Sequence, residues 1–391
     1  MTNLYNDQDT KDFKTDLDYR VYTSQLLGRS DELVLHGGGN TSVKSVVDDT
    51  EVLYVKGSGW DLVTIEPQGF PAVELQFLKD MARLTELSDS DMVDAQRKAM
   101  LDKSAPNPSV EAILHAIIPF KFVDHTHADA IVTITNNDFG KYNIEELFPN
   151  FLLVDYIMPG FILAHTIYKL TRDIDWDKCE GIILLNHGIF TFDDDPKKSY
   201  DKMIDAVSKA EEFLDDNANL VIEKYMPRAT LDIQKLQEII SETKGYDAVI
   251  KVNQSPLALH YASQRNLQQK ATKGVLTPEH IIRTKRVPLI LEDDDIQKAV
   301  DSYKDEYIAY YEEFKKDEVC LNPAPNWAVV KNFGTVSFGK TQKEANIIED
   351  VNNHTMRAVL RADILGGFQS ISLKDSFEME YWELEQAKLK K

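Results

Sequence analysis

The sequence FVDHTHADA, residues 122–130, places His125 and His127 two positions apart in a segment with an apolar start. Side chains of an extended segment repeat every two residues, so both imidazoles would point to one side of a strand and reach a single ion. Two histidines also come close by chance in a chain of 391 residues. The pattern therefore predicts a strand that presents two metal ligands, if other segments supply the rest of the site.

Two further segments carry candidate partners for these histidines. PNPSVEAILH, residues 106–115, predicts a helix that is capped by Ser109 and carries Glu111 in its first turn. GIILLNHGIF, residues 181–190, predicts a buried strand that ends in His187. Three histidines leave the fourth position of a tetrahedral zinc open for water or substrate, which is typical of a catalytic rather than a structural site.

Two glycine-rich stretches, HGGGNTS at residues 36–42 and VKGSGWD at residues 55–61, admit several interpretations. A dinucleotide fingerprint is disfavoured, because strand-like residues follow Asn40 where that motif requires a helix. An esterase oxyanion loop needs a G-x-S-x-G partner, which the sequence lacks. Two interpretations remain: a phosphate-binding nest of backbone N–H groups around Asn40, Ser58 and Gly59, or simple tight turns.

Taken in order, these motifs resemble the class II (zinc-dependent) aldolase/adducin family. The resemblance is carried by HGGGNTS, VKGSGWD and VDHTHADA, by the Asn-His-Gly of residues 186–188, and by EYWELEQAK at residues 380–388. It extends from about residue 20 to the end of the chain. Within the family, the chain is most similar to the aldolase part of bifunctional rhamnulose-1-phosphate aldolase/short-chain dehydrogenase proteins.

The resemblance implies an α/β fold, with a class II aldolase-like α/β/α sandwich around a central, mainly antiparallel sheet and a smaller C-terminal α/β domain. A change of composition near residues 225–228 predicts the boundary between them. Residues 1–226 would form the class II aldolase/adducin-like catalytic domain, and residues 227–391 the C-terminal domain. The sequence pattern of residues 332–338 is similar to that of residues 186–192. This similarity indicates that the domain arose as a degenerate repeat, and coincidence is the alternative.

Local patterns predict several individual elements. Residues 15–30 and 196–214 have apolar side chains at helical spacing. Residues 33–36 predict a short strand, and residues 40–44 and 51–56 predict an antiparallel pair joined by a turn.

The resemblance also implies the metal site and the catalytic group. His125, His127 and His187 would hold Zn2+, and Glu111 would be the general acid/base that moves the proton on the reacting carbon. Zinc would act as a Lewis acid on the substrate oxygens. His115 lies four residues after Glu111 on the same helix face and is assigned to the core, since the family's metal set is complete without it.

The substrate phosphate would be bound, by the same resemblance, at Asn40, Ser58, Gly59 and Ser109. The family has a pair of serines just before the glutamate, whereas this chain has Ser109 followed by Val110. One hydroxyl of the family's pattern is therefore missing from this chain.

The function implied is reversible cleavage of a ketose 1-phosphate, foremost L-rhamnulose 1-phosphate, into dihydroxyacetone phosphate and L-lactaldehyde, by a homo-oligomer. Two alternatives stay open: another zinc-dependent reaction, such as epimerisation or dehydration of a sugar phosphate, and a non-catalytic adducin-like interaction domain. The chain would be either a stand-alone aldolase or the aldolase part of a longer aldolase/dehydrogenase. An NAD-dependent activity is not expected from its residues.

The composition of the chain indicates which classes of binding partner and which cellular compartment to expect. The formal net charge of -21 argues against nucleic acid or an anionic membrane surface as a partner, since both attract clustered positive charge. The two cysteines, Cys179 and Cys320, form no CxxC motif and suit a reducing cytoplasm. No apolar run approaches the length of about 18 residues that a membrane span needs. We therefore predict a cytoplasmic protein.

Overall fold

The computed structural model describes residues 1–390, without the side chains of residues 388 and 390. The chain divides into two compact units. The N-terminal unit contains residues 1–132 and 141–212, and the C-terminal unit contains residues 133–140 and 213 onward. The domain boundary after residue 226 stays a prediction.

A seven-stranded sheet forms the centre of the N-terminal unit, in the order β3-β2-β1-β4-β7-β6-β5. Its strands are β1 (Asn40–Val47), β2 (Thr50–Val55), β3 (Ala72–Glu74), β4 (Phe122–Thr126), β5 (Phe151–Val154), β6 (Gly181–Leu184) and β7 (Gly188–Asp193). Neighbouring strands run antiparallel, except β5 and β6, which run parallel. The predicted α/β class with a central, mainly antiparallel sheet is confirmed.

Strand β4 is buried along its whole length and lies between two other strands. On one side His125 pairs with Asn40 of β1, and on the other side it pairs with Phe190 of β7. Both backbone edges of β4 are therefore hydrogen-bonded, and the position of His125 is fixed by two neighbours at once.

Helices connect and cover the strands in both units. They are α1 (Asp16–Gly28), α2 (Leu75–Met81), α3 (Asp89–Ala99), α4 (Ala112–Ile117), α5 (Asp129–Thr135), α6 (Gly140–Leu147), α7 (Phe161–Leu170), α8 (Pro196–Asn217), α9 (Ile233–Lys244), α10 (Pro256–Ala262), α11 (Leu267–Ala271), α12 (Ile281–Thr284), α13 (Ile296–Phe314), α14 (Gln342–Ile364), α15 (Leu373–Glu380) and α16 (Glu383–Gln386). Among the described residues, no helix combines the length and the apolar character needed to cross a bilayer.

The large sheet has helices on both faces. One face contributes Val123, Phe190 and Phe192 to an apolar core that also contains buried side chains of α2, α3, α4 and α7. On the other face the Asp124 carboxylate is bonded by Arg20 of α1 and by Ser199 of α8. Alternate residues of one strand therefore hold two helical layers, as an α/β/α sandwich requires.

The C-terminal unit has its own four-stranded sheet, in the order β8-β11-β10-β9. Its strands are β8 (Val249–Asn253), β9 (Leu289–Leu291), β10 (Trp327–Val330) and β11 (Gly334–Gly339). A separate apolar core, which includes side chains of α9 and α13, covers this sheet. The predicted smaller α/β domain at the C-terminal end is thus present.

Two local predictions were wrong. Residues 33–36 form consecutive turns instead of a strand: Leu33 N–H donates to Ser30 O, and His36 has a φ of 42°. A positive φ is incompatible with an extended strand. The helix that follows Ser109 begins at Ala112, so Glu111 is its N-cap residue and lies before the first turn.

Candidate metal centre

Three histidines come together at one end of the large sheet. His125 is on β4, His127 follows the end of that strand, and His187 lies in the turn between β6 and β7. Strand β4 pairs directly with β7, with Thr126 opposite Ile189. The pairing of these two strands therefore brings residues 125 and 187 together despite their separation in sequence.

The ring nitrogens of these histidines are close enough to share one ion. Nε2 of His125 lies 3.1 Å from Nε2 of His127, and one nitrogen of each of the three rings lies within 4.8 Å of the others. Nδ1 of His125 lies 3.0 Å from the backbone oxygen of Ile189. A carbonyl accepts from an N–H group, so Nδ1 carries the proton and Nε2 offers its lone pair to the centre.

Glu111 approaches the same centre from the start of α4. Its Oε2 lies 3.5 Å from Nε2 of His125, and its Oε1 lies 3.8 Å from Nε2 of His187. The side chain is only 5% exposed, and Oε1 has no hydrogen-bond partner in the described part of the chain. A buried carboxylate oxygen without a partner is unfavourable. A divalent cation among the three imidazoles would satisfy it, so these residues fit a metal ion.

A chain of buried hydrogen bonds extends from Glu111 to His115. Asn40 Nδ2 donates to Glu111 Oε2 at 2.6 Å. Asn40 Oδ1 is bonded to Nε2 of His115, and Nδ1 of His115 lies 2.8 Å from Ser42 Oγ. His115 therefore fixes which end of the Asn40 amide faces the carboxylate.

Burial and the neighbouring charges of His125, Lys44 and Arg20 hold the pKa of His115 well below its ordinary value. The sequence analysis assigned His115 to the core. It is fully buried, but its ring also links two strand residues to the predicted acid/base group. The signal available in the sequence was its spacing of four residues from Glu111, which places both on one helix face.

The predicted phosphate-binding residues lie on two adjacent segments. Gly57 pairs with Pro108 in an isolated bridge, Ser58 N–H donates to Asn107 O at 2.8 Å, and Ser109 N–H donates to Lys56 O at 3.0 Å. These bonds bring the loop of Ser58 and Gly59 next to Ser109.

Their individual environments differ. Gly59 has a φ of 92°, which favours glycine. Ser109 Oγ accepts from Glu111 N–H at 3.3 Å, and Asn40 is turned toward Glu111. That these four residues bind phosphate stays a prediction.

Lys56 is a further polar residue of this region that the sequence analysis did not select. It is buried, and its Nζ donates to Gly37 O at 2.8 Å, which joins the two glycine-rich stretches. Lysine in a strand pattern is usually a solvated side chain, so composition alone gave no sign of its burial.

Two family profiles match the chain. The profile of the Class II Aldolase and Adducin N-terminal domain matches residues 20–214. The profile of the Aldolase class II second domain matches residues 227–389. The chain belongs to the class II aldolase and adducin family. Proteins of the class II aldolase type are typically metal-dependent, and the buried group of His125, His127 and His187 could hold such a metal.

Relatives of this chain include proteins known by sequence and by structure. It is 41% identical to the N-terminal class II aldolase domain of a conserved protein from Thermoplasma acidophilum, with a TM-score of 0.51 over 55% of this chain and 99% of that one. It is 30% identical over 402 residues to the "Uncharacterized oxidoreductase YuxG" of Bacillus subtilis (strain 168).

The second of these relatives is longer. The match covers 94% of this chain but 57% of the Bacillus protein. An l-fuculose-1-phosphate aldolase from Thermus thermophilus is also similar, at 14% identity and a TM-score of 0.34 over 51% of this chain and 95% of that one.

Proposed function

We propose that the chain is a zinc-dependent aldolase that cleaves a ketose 1-phosphate, foremost L-rhamnulose 1-phosphate, into dihydroxyacetone phosphate and L-lactaldehyde. One observation carries the proposal: three imidazoles converge within 4.8 Å beside the buried Glu111 carboxylate, whose Oε1 has no hydrogen-bond partner among the described residues. Three nitrogen ligands leave a coordination position for a substrate oxygen.

The chemistry follows from the position of the carboxylate. Zinc held by His125, His127 and His187 supplies Lewis-acid polarisation of the substrate oxygens. In the cleavage direction the bond between C3 and C4 of the ketose breaks and its electron pair stays on C3, while the C4 hydroxyl gives its proton to water and C4 becomes the aldehyde carbon. Glu111 in its acid form gives a proton to C3, and in the synthetic direction its carboxylate removes that proton.

The two oxygens of Glu111 have different roles in this proposal. Oε2 accepts a hydrogen bond from Asn40 Nδ2 at 2.6 Å, which keeps it engaged. Oε1 lies 3.8 Å from Nε2 of His187 and has no hydrogen-bond partner among the described residues, so it is the oxygen that would face the metal in the substrate-free protein and exchange the proton when substrate is bound. The phosphate would bind at the adjacent segments that carry Ser58, Gly59 and Ser109.

That this chain is part of a longer protein is also a proposal. The Bacillus relative is named an oxidoreductase and is longer than the matched region, which supports the prediction that this aldolase part is joined to a dehydrogenase in a longer protein. Assembly as a homo-oligomer, a cytoplasmic location and the absence of nucleic-acid or membrane partners remain predictions.

The metal content of the purified protein tests the proposal first. We expect about one zinc per chain by mass spectrometry, and loss of that zinc in His127→Ala. The matched control is His165→Ala, which removes a half-buried histidine of α7 and should keep the metal. No divalent metal in the unmodified protein after incubation with zinc would overturn the catalytic proposal and favour the adducin-like interaction domain.

Product analysis then identifies the reaction. Release of dihydroxyacetone phosphate from L-rhamnulose 1-phosphate, lost in Glu111→Gln with the zinc retained, is the expected result. A zinc-loaded protein that converts the sugar phosphate without releasing dihydroxyacetone phosphate would be an epimerase or a dehydratase instead. The Glu111→Gln variant preserves the shape of the side chain and removes its ability to exchange a proton.

A further inference from the structure

A polar cavity lies within the C-terminal unit, and its residues are separate from the histidine group. Its volume is about 180 Å³, and its lining includes Lys244 at the end of α9, Lys285 just after α12 and Glu380 at the end of α15. A cavity of about 150 Å³ holds a molecule the size of benzene. This cavity therefore suits a ligand of a few carbon atoms and is too small for a nucleotide.

The cavity carries more positive than negative charge. Lys285 Nζ lies 3.0 Å from Glu380 Oε1 and 4.0 Å from the centre of the Tyr307 ring. Lys244 is also buried, and its Nζ donates to Asn326 Oδ1 at 2.7 Å. In the described part of the chain, Lys244 forms no ion pair. Two ammonium groups and one carboxylate thus line this cavity, in a protein whose net charge is -21.

The pKa of Lys244 agrees with the excess of positive charge in the cavity. Burial, together with the charge of Lys285, lowers the pKa of Lys244 to about 8, although the charge of the Glu344 carboxylate acts in the opposite direction. A bound anion would offset both effects, because it restores an opposite charge next to the ammonium group.

Two observations point to a ligand beyond the charge itself. Glu380 is 1% exposed, and its Oε2 has no hydrogen-bond partner among the described residues. Lys285 has a φ of 62° and a ψ of 172°, a backbone region that is populated almost only by glycine. Strained non-glycine residues of this kind concentrate at ligand-binding sites. A ligand hydroxyl that donates to Glu380 Oε2 would give this buried oxygen a hydrogen-bond partner.

We propose that this cavity is a second ligand site, for a small hydroxylated oxyanion of about three or four carbons, either a sugar phosphate or a hydroxy acid. Lys244 supports the anionic group through its two remaining N–H donors, Lys285 adds a second positive charge, and Glu380 Oε2 accepts from a hydroxyl of the ligand. The site is independent of the zinc-dependent reaction.

The test is a lysine-resolved titration of the full chain by NMR, with 13C at the Cε of lysine. Glycerol 3-phosphate and D-glycerate are the two probes, one a phosphate and the other a carboxylate. We expect at least one of them to raise the pKa of Lys244 by about one unit, because an anion stabilises the ammonium form. The signal of Lys235, an exposed lysine on the same helix, should not move.

The two probes identify the anionic group, and a variant identifies the hydroxyl contact. In Glu380→Leu, which has a similar volume but no acceptor oxygen, glycerol 3-phosphate should bind no more tightly than inorganic phosphate, whereas in the unmodified chain it should bind several-fold more tightly. The titration is repeated in His127→Ala, so that failure of the aldolase proposal leaves this result intact. A Lys244 signal that none of the probes shifts, in a folded unmodified chain, overturns the proposal.

Discussion

Four of the seven strands of the large sheet have the same arrangement as the four strands of the small sheet. The order β4-β7-β6-β5 in one matches β8-β11-β10-β9 in the other, and each contains two antiparallel pairs followed by a parallel pair. The hairpins have the same register, with Leu184 opposite Gly188 in the first and Val330 opposite Gly334 in the second. A functional difference between the two sheets would therefore come from their side chains, since their strand order and hairpin register are the same.

The turns of the two hairpins have the same backbone conformation at their asparagines, although Gly334 has a φ of 132° that Gly188 does not share. Asn186 has a φ of 59° and Asn332 a φ of 58°, and a glycine stands two residues later in both. A Cβ on Gly188 would lie 2.4 Å from the backbone oxygen of Thr126, and one on Gly334 would lie 2.3 Å from that of Asn253. Thr126 and Asn253 occupy the same place in the two registers.

The side chains differ at three positions that the register makes equivalent. The positions of His125, His127 and His187 in the large sheet are occupied in the small sheet by Val252, Gln254 and Phe333. In place of a nitrogen cluster, Gln254 Nε2 donates to the backbone oxygen of Phe333 at 3.0 Å. The small sheet thus keeps the strand arrangement without a histidine at any of these three positions, and its origin as a degenerate repeat stays a prediction.

Exchanging the side chains of the equivalent residues His187 and Phe333 should have the largest effect on metal binding and activity. We expect His187→Phe to lower metal affinity and aldolase activity by more than about 100-fold, because a direct ligand is lost. Phe333→His should leave the zinc content unchanged, because its neighbours are Val252 and Gln254. Zinc per chain and the rate of dihydroxyacetone phosphate release are the measurements. Zinc retained in His187→Phe would contradict the proposed ligand set.

The second-largest effect is expected for substitutions of Gly188 and Gly334. Gly188→Ala and Gly334→Ala should each cost about 3 kcal/mol in the free energy of unfolding, because each new Cβ meets a backbone oxygen. Gly188→Ala should also reduce zinc content, since its Cβ would lie 3.1 Å from Cε1 of His125. Denaturant unfolding and metal analysis measure both. The control is Gly245→Ala, which has a φ of 74° but no atom within 4 Å of the added Cβ.

A substitution of His115 tests the role of strand β1 beside β4, for which the small sheet has no equivalent strand among the described residues. In the described residues β8 is an edge strand, whereas β4 is flanked by β1, which carries Asn40 and Ser42. His115→Gln should cost about 2 kcal/mol in the free energy of unfolding, because buried partners lose a hydrogen bond. It should also lower kcat through the freed Asn40 amide.

The pH dependence separates this role from simple packing. The pKa of His115 is lowered in the folded chain, so below its ordinary value of 6.5 the unfolded chain binds a proton that the folded chain does not. Its contribution to stability is therefore present above that pH and falls by about 1.4 kcal/mol per pH unit as the pH decreases. The variant should lack this part of the decline, while a His165→Gln control keeps it. An identical decline in His115→Gln would contradict the assignment.

The smallest effect concerns the two asparagines. Asn186→Ala and Asn332→Ala should each cost about 1 kcal/mol, because both residues adopt a left-handed conformation that alanine disfavours. Replacement by glycine should recover most of this loss. Thermal unfolding of the four variants gives the comparison. Unequal costs at the two positions would show that the turns are not equivalent.

Local sequence patterns predicted much of the fold. The long helix from residue 196, the antiparallel pair β1 and β2, and the strand before His187 follow from periodicity and turn residues over short distances. Residues 33–36 were predicted wrongly because apolar residues also line buried turns, where a positive φ at His36 overrides strand propensity. Glu111 was placed one residue too far into its helix, a boundary that local patterns define poorly.

The residue types of the candidate site are visible in the printed sequence, since only a few side chains can bind zinc or exchange a proton, and their spacing marks them out. Their distances are not visible. The meeting of residues 125 and 187 depends on the pairing of β4 with β7, and the hydrogen bonds from Glu111 through Asn40 to His115 depend on the pairing of β4 with β1. The cavity of Lys244, Lys285 and Glu380 likewise joins three helix ends that no local pattern connects. Contacts between distant segments are decided by the packing of the whole chain, because many segments compete for each pairing and the lowest free energy selects one.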